Sequence, residues 1–509
     1  MRKQKPQNHK TKLALFAGAG ALMALTPQIQ ADNSTDSVDR LLNKLQQKGV
    51  LTAGEADELK AENTVEQTNS VNQGTPSIWK ISNTFKSINL FGDLRLRYEY
   101  RGVDNVPGAS PNTYYRERFR YAVRFGIKGD LTDNFYYGLR LETSTNPRSP
   151  WATFGNNTTA GSVTPSDKAQ SGINVGQAFI GWKPTSWFEM TAGRMPMPLY
   201  ITPMVWDSDI NPEGAFEKFK YTVHDVDLFV DLGQFDYQNP SSASAFPSSD
   251  TFLLAWQAGA QVHLNDSTSF KVAPVVYTYA GKGTSGGLNQ PFVGQGNAGV
   301  NVGVPGSTNL VAGASDYNQQ GLDHLLVLEV PAEFDFDIPA TPFGPLHGRL
   351  FGDFAYNFEG DQRADAAFNA NPAAFPGLNG PVHGEDIAYQ IGFGFGSAGA
   401  VYGPTQGLVY GSTSKKNTWE ARFYWQHIEQ YALDVNLIDS DFFEGRGNLQ
   451  GVYASFAYSF TDAIIGTVRF GYADRINDNL GTGGNNLDIP GINPIKYYKL
   501  VQTDLTWRF

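Results

Sequence analysis

The sequence predicts an all-β protein, a transmembrane antiparallel β-barrel of about 16 strands, preceded by a short periplasmic helical segment. Three observations carry that expectation. Strand-length segments alternate apolar and charged residues from end to end. Long and short connections between them also alternate. Beyond residue 31, no segment reaches the run of roughly 18 apolar residues that a membrane helix requires. A membrane protein lacking such helices must pair its backbone groups between strands.

The first 12 residues carry Arg2, Lys3, Lys5, Lys10 and Lys12 with no acid. An apolar run at 13–25 and the small residue Ala31 follow, so 1–31 reads as a secretory signal peptide. Residues 32–77 read as a periplasmic helical hairpin and polar linker. Within it, Leu41, Leu42 and Leu45 have helical spacing, Gly49 suits a helix end, and 52–55 resembles a capping box. The barrel is expected over 78–509.

Its strands are legible from period-two alternation. In the first, Leu94, Leu96, Tyr98 and Tyr100 alternate with Asp93, Arg95, Arg97, Glu99 and Arg101. The second sets Phe119, Tyr121, Val123, Phe125 and Ile127 against Arg118, Arg120, Arg124 and Lys128. A third sets Phe135, Tyr137, Leu139 and Leu141 opposite Tyr136, Arg140 and Glu142. The final segment puts Val501, Leu505, Trp507 and Phe509 on one face and Gln502, Asp504, Thr506 and Arg508 on the other. Charge along a whole face means that this face meets water for its full length.

Connection lengths distinguish a barrel from a sandwich. Short turns fall near 131–133, 184–186, 222–224, 265–267 and 461–462. Long polar loops span about 102–115, 144–173, 194–213, 235–250, 281–321, 359–385, 429–447 and 473–495. Outer-membrane barrels have short periplasmic turns and long external loops. Eight long loops and seven shorter connections give 16 strands. A proline-rich stretch at 333–345, with a turn expected at 337–339, and a long connection at 397–417 leave 18 strands as the alternative.

Composition agrees. The chain has 34 Phe, 24 Tyr and 9 Trp beside 54 Gly, and its mean hydropathy of −0.34 suits strands that face lipid on one side only. The absence of Cys removes disulfides, thiol catalysis and cysteine metal sites. Taking the 5 basic residues of the leader from 39 leaves 34 Lys and Arg against 50 Asp and Glu, or −16, which argues against nucleic acid as a partner.

A barrel this wide leaves an aqueous channel unless a plug fills it, and no segment remains for a plug domain. Passive diffusion of small hydrophilic solutes is the expected function, with no cofactor and no metal. Arg95, Arg97, Arg118, Arg120, Arg124, Lys128 and Arg140 are expected to line one wall of the pore, moderated by Asp93, Glu99 and Glu142. Cross-strand pairing is the plainer reading of the same charges. The third loop carries Asp207, Asp209 and Glu213, whose spacing fits no EF-hand. Folded inward, these acids would face the basic wall and constrict the pore, by analogy with general porins. A second acidic cluster, Asp439, Asp441 and Glu444, admits the same readings.

The segments LLNKLQQKGVLTAGEADEL (41–59) and FGDLRLR (91–97), the Gly193-Arg194 step, WDSDINPEG (206–214) and DSDFFEGRGN (439–448) together resemble the "putative porin" family of proteobacterial outer membranes. The resemblance implies a pore-forming protein in the outer membrane of a Gram-negative bacterium, in contact with lipid and lipopolysaccharide. It also makes Arg194 a candidate pore residue. A homotrimer follows by analogy with wide porins. Two other classes stand beside a general porin: a substrate-selective sugar or anion channel, with Tyr136 and Phe229 as candidate lumenal aromatics, and a closed barrel acting as an adhesin. An enzyme is disfavoured because His224, His263, His324, His347, His383 and His427 are scattered, with no serine elbow or HExxH pattern.

Overall fold

The computed structural model describes residues 82, 84–105, 113–144, 149–155, 172–238, 251–281, 324–342, 344–370, 372, 377–397, 415–482 and 495–509. The expected leader and helical hairpin lie outside these residues.

Sixteen staves form one closed antiparallel barrel. They are β1 Asn89–Asn105, β2 Thr113–Asp130, β3 Phe135–Ser144, β4 Gly172–Thr185, β5 Phe188–Arg194, β6 Glu213–Val223, β7 Val226–Gln238 and β8 Thr251–Asn265. Then come β9 in two pieces, Thr268–Val272 and Val275–Ala280, and β10 in two pieces, Leu326–Glu329 and Ala332–Ile338. The circuit continues with β11 Leu346–Asn357, β12 Ile387–Ser397, β13 Trp419–Ile428, β14 Leu449–Ser459, β15 Ile464–Arg475 and β16 Ile495–Arg508. A two-residue strand, Ala152–Thr153, pairs with β2 beyond the end of β3. β16 returns to β1, with Arg97 opposite Asp504, and the sheet has no free edge.

Proline explains the two broken staves. It has no N–H for a ladder, so it sits at interruptions. β9 breaks at Ala273 and Pro274, β10 at Val330 and Pro331, and the breaks lie side by side. Ala273 N donates to the Pro331 carbonyl (3.1 Å) and Ala258 N to the Pro274 carbonyl (3.0 Å), so backbone groups around both breaks stay paired. The turn expected at 337–339 begins later, because Asp337 and Ile338 still pair with His347 and Leu346. β12 pairs directly with β13, so the circuit closes at 16 and not at 18; residues 398–414 lie outside those described.

Facing follows the alternation. On β2, Val123 and Phe125 are 36% and 44% exposed, whereas Ala122 and Arg124, which alternate with them, are at 0% and 9%. The apolar set faces outward and the charged set faces the lumen. Beside the short turns, Phe135 stacks on Trp182 (ring centres 6.0 Å apart) and Trp187 on Phe219 (6.3 Å), part of an outward aromatic belt suited to a membrane interface.

The lumen holds two inward-folded loops, loop 3 (195–212) and loop 7 (429–448). Met195, Met197, Leu199, Ile201, Met204, Val205 and Trp206 of loop 3 are buried with Leu433, Val435, Leu437, Ile438, Phe442 and Phe443 of loop 7 in one apolar cluster. Burial of so many large side chains, each worth roughly 1.5–3 kcal/mol, holds the loops in the bore. An external helix, α1 Gly360–Ala370, packs Ala364 and Ala367 near Tyr431 and Leu480.

Candidate functional site: the narrowed lumen

Two glycines let loop 3 leave the wall. Gly193 and Gly214 face each other across the β5–β6 ladder at the neck of the loop, with φ of 118° and 151°. A Cβ there would strike the Ala178 or the Gln234 carbonyl. Just inside, Arg194 Nη1 donates to Glu213 Oε1 (2.6 Å) and its Nε to the Gly176 carbonyl (3.0 Å). Arg194 and Glu213 therefore clasp the neck, and Glu213 faces Arg194 and not the basic strip.

Loop 3 crosses to the far wall. Tyr200 N donates to Gln257 Oε1 and Gln257 Nε2 to the Tyr200 carbonyl, both at 2.8 Å. Thr202 Oγ1 donates to Asp353, and Thr202 N reaches Glu329 Oε1 at 3.4 Å. Loop 7 then grips loop 3 from the other side. Asp207 N donates to the Leu437 carbonyl (2.5 Å), Asp439 N to the Pro203 carbonyl (3.0 Å), and Ser440 N and Oγ to Asp207 Oδ2 (3.2 and 3.0 Å). Burial and the neighbouring charge of Asp209 push the Asp207 carboxyl up to about 7.

The basic strip on β1, β2 and β3 divides into a part tied into an interior network and a part that keeps slightly more exposure. Arg97 is 3% exposed and Arg118 8%. Arg97 Nε and Nη2 donate to Asp504 (2.8 and 3.0 Å) and its Nη1 to Asp441 of loop 7 (2.8 and 3.0 Å), while its guanidinium lies 4.0 Å from the Trp151 ring centre. Arg118 Nε donates to Glu99 (2.6 Å), which also accepts from Arg101 (3.0 Å) and Gln502 (2.7 Å). These charges, expected on the pore surface, are buried and neutralised in an interior network, Arg97 against Asp441 of loop 7 and Arg118 against Glu99. Burial opposes the charge of Asp441, but Arg97 and Arg101 beside it hold its carboxyl down, at about 2.

Arg95, Arg120, Arg124 and Arg140 keep 11–20% of their side-chain surface exposed. Asp93 pairs with Arg95 (2.9 Å) and Arg124 (3.0 Å), and Glu142 with Arg140 (2.9 Å). Asp209 of loop 3 approaches Arg124 at 3.8 Å. Arg140, Gln177, Trp206, Ser208 and Asn211 line a cavity of about 190 Å³ beside this pair. Lys128 stands exposed toward the turn end, 5.2 Å from the Phe91 ring centre. Tyr136, one candidate aromatic, donates to Glu189 (2.6 Å), and Phe229, the other, lies beside a separate cavity.

Sequence reasoning missed the far-wall anchors Gln257, Glu329 and Asp353, and it left Arg101 and Asp504 on water-facing strand faces without a role. The available signal was the apolar spacing of Leu433, Val435 and Leu437 next to an acidic run, which marks a loop that must be covered.

A closed wall with an apolar exterior and a charged interior defines an outer-membrane β-barrel channel. Residues 104–509 match the family described as "Putative porin", and the chain belongs to that family and to the bacterial outer membrane. No curated protein matches the sequence. Among solved structures, the chain is similar to OpdQ of Pseudomonas aeruginosa, at 10% identity over 84% of this chain and 99% of that one, with a TM-score of 0.37. It is likewise similar to a triple mutant of the Rhodopseudomonas blastica porin, at 10% identity over 83% and 100%, with a TM-score of 0.36.

Proposed function

We propose that the protein is a passive diffusion channel for small hydrophilic solutes and ions, narrowed jointly by loops 3 and 7 and biased toward anions. The approach of Asp209 of loop 3 to Arg124 of the wall, at 3.8 Å, supports this reading. At about 4 Å, a unit charge pair is worth ~1 kcal/mol in bulk water and ~4 kcal/mol at an effective dielectric constant near 20. A solute passing beside that pair meets a transverse field that orients dipoles without holding ions tightly.

Arg95, Arg120, Arg124 and Arg140, each with 11–20% of its side-chain surface exposed, present the cations at the passage; Asp93, Glu142 and Asp209 oppose them, and Arg120 lies 3.7 Å from the buried Glu99. The pore-lining role therefore falls to Arg95, Arg120, Arg124 and Arg140, while Arg97 and Arg101 anchor loop 7 and Arg118 pairs with Glu99. The outward apolar face is suited to lipid and lipopolysaccharide, and a trimer is the assembly we expect; cross-linking in native membranes reads it directly.

The test is single-channel recording of the refolded protein in a planar bilayer under a salt gradient. Steady openings with a reversal potential on the anion side support the reading. A folded barrel that stays silent overturns it, and a cation-side potential overturns the charge filter alone.

A further inference from the structure

Loop 3 roofs a second cavity, of about 320 Å³, between β6, β7, β8 and β9. Its volume falls within the range of about 300–1,000 Å³ typical of small-molecule sites. Lys218 and Lys220 of β6 and Lys271 of β9 line it with Asp227 and Asp231 of β7, so the lining has one cation more than it has anions. Two of the lysines are claimed: Lys220 lies 3.2 Å from Asp227 and Lys218 3.9 Å from Asp231. Glu333, the ladder neighbour of Lys271, is taken by Arg349 at 3.1 Å.

Lys271 itself has no carboxylate within 4.0 Å among the described residues. Its ammonium instead lies 3.5 Å from the ring centre of Tyr200 and 5.5 Å from that of Phe229. The Tyr200 backbone is fixed in place. Gln257 clamps it from both sides and also donates to the Ala273 carbonyl (3.0 Å), a group turned toward the lumen by the proline break in β9.

An ammonium held against aromatic rings with no carboxylate within 4.0 Å among the described residues, in a cavity whose lining carries a single surplus charge, selects for a ligand with one negative charge and a flat apolar body. We propose that this cavity is a binding subsite for small aromatic monoanions, the anionic group pairing with Lys271 and the ring lying against Phe229. A dianion would require a second unpaired cation, and a neutral sugar would leave Lys271 without a partner. The proposal deepens the channel reading and rests on solute reaching the lumen.

The probe is benzoate, compared with cyclohexanecarboxylate and acetate, as a blocker of single-channel KCl current. Each variant's half-blocking concentration is read relative to its own open current. Benzoate is expected to block saturably, at least tenfold more strongly than acetate. Lys271→Met should raise its half-blocking concentration tenfold or more, and Phe229→Ala should weaken benzoate without changing acetate. Equal block by benzoate and acetate, or no effect of Lys271→Met, overturns the subsite. Calorimetry of benzoate binding to the detergent-folded barrel separates the two readings. A barrel that binds but does not conduct sinks the channel and spares the subsite. A barrel that conducts without binding does the reverse.

Discussion

Asp441→Asn is the sharpest probe of the inward-folded loops. Asp441 accepts two hydrogen bonds from Arg97 Nη1 (2.8 and 3.0 Å), one from Arg101 Nη2 (3.3 Å) and one from Gln502 Nε2 (3.0 Å). It is the ionic link between loop 7 and the β1–β16 wall. Breaking a buried pair by removing one partner costs about 3–5 kcal/mol. Here Arg97 keeps Asp504, Arg101 keeps Glu99, and Asp441 retains 17% of its side-chain exposure, so the low end applies. A loss of about 3 kcal/mol shifts the ratio of docked to undocked loop more than ~100-fold.

In bilayer recordings the variant should flicker between a wild-type level and a larger one, and loop 7 should become sensitive to protease added from outside. Asp478→Asn removes an ion pair to Arg475 whose acid is 88% exposed, and should change nothing. Wild-type conductance, noise and protease resistance in Asp441→Asn would refute the claim that this contact docks the loop.

Three further outcomes are expected. Because the docked state raises the Asp207 carboxyl from its ordinary value near 4 to about 7, the docked state binds more protons between these limits. Docking of loops 3 and 7 should therefore weaken as pH rises from about 4 to about 7, and burial beside Asp207 and Asp441, which also raises the Asp439 carboxyl, acts in the same direction. Current noise should increase over the same window, and Asp207→Asn should flatten the dependence. Joint replacement of Arg120, Arg124 and Arg140 by glutamine should move the reversal potential toward cations, whereas an unchanged potential removes the charge filter. Gly214→Ala forces a side chain into a backbone carbonyl at a φ of 151°, a strain of order 1–3 kcal/mol. It should lower the temperature at which the barrel loses its compact band on unheated gels, while Gly380→Ala, whose Cβ meets nothing within 4 Å, should not.

The barrel wall was legible because its physics is local. Arg118, Arg120 and Arg124 alternate with Phe119, Tyr121, Val123 and Phe125, and a one-residue slip would turn every charge toward lipid. The proline-bearing staves resisted the same reading, since Pro331 inside a strand looks like a turn until a neighbouring break at Pro274 is seen to share its hydrogen bonds.

The narrowed lumen was harder still. The approach of Asp209 to Arg124 was readable as an opposition of signs. The pairing of Arg97 with Asp441 was not, because 344 residues separate them and only the closed barrel brings them together. Gly193 and Gly214 were visible as letters, but their necessity depends on the ladder that sets them face to face.

The junction between the first and last staves has a kinetic meaning. Gly92 N donates to the Phe509 carbonyl (3.0 Å) and Phe509 N to the Gly92 carbonyl (3.1 Å), while Arg97 and Asp504 bridge the same junction across 407 positions. Entropy makes such a join about 3 kcal/mol more costly than closing a ten-residue hairpin. Neighbouring hairpins can therefore zip early and independently, but this seam must be sewn last. Until it is, both edges offer unpaired backbone to any chain nearby. The wall is committed by a single late stitch, and the buried arginine at that stitch records that the circle has closed.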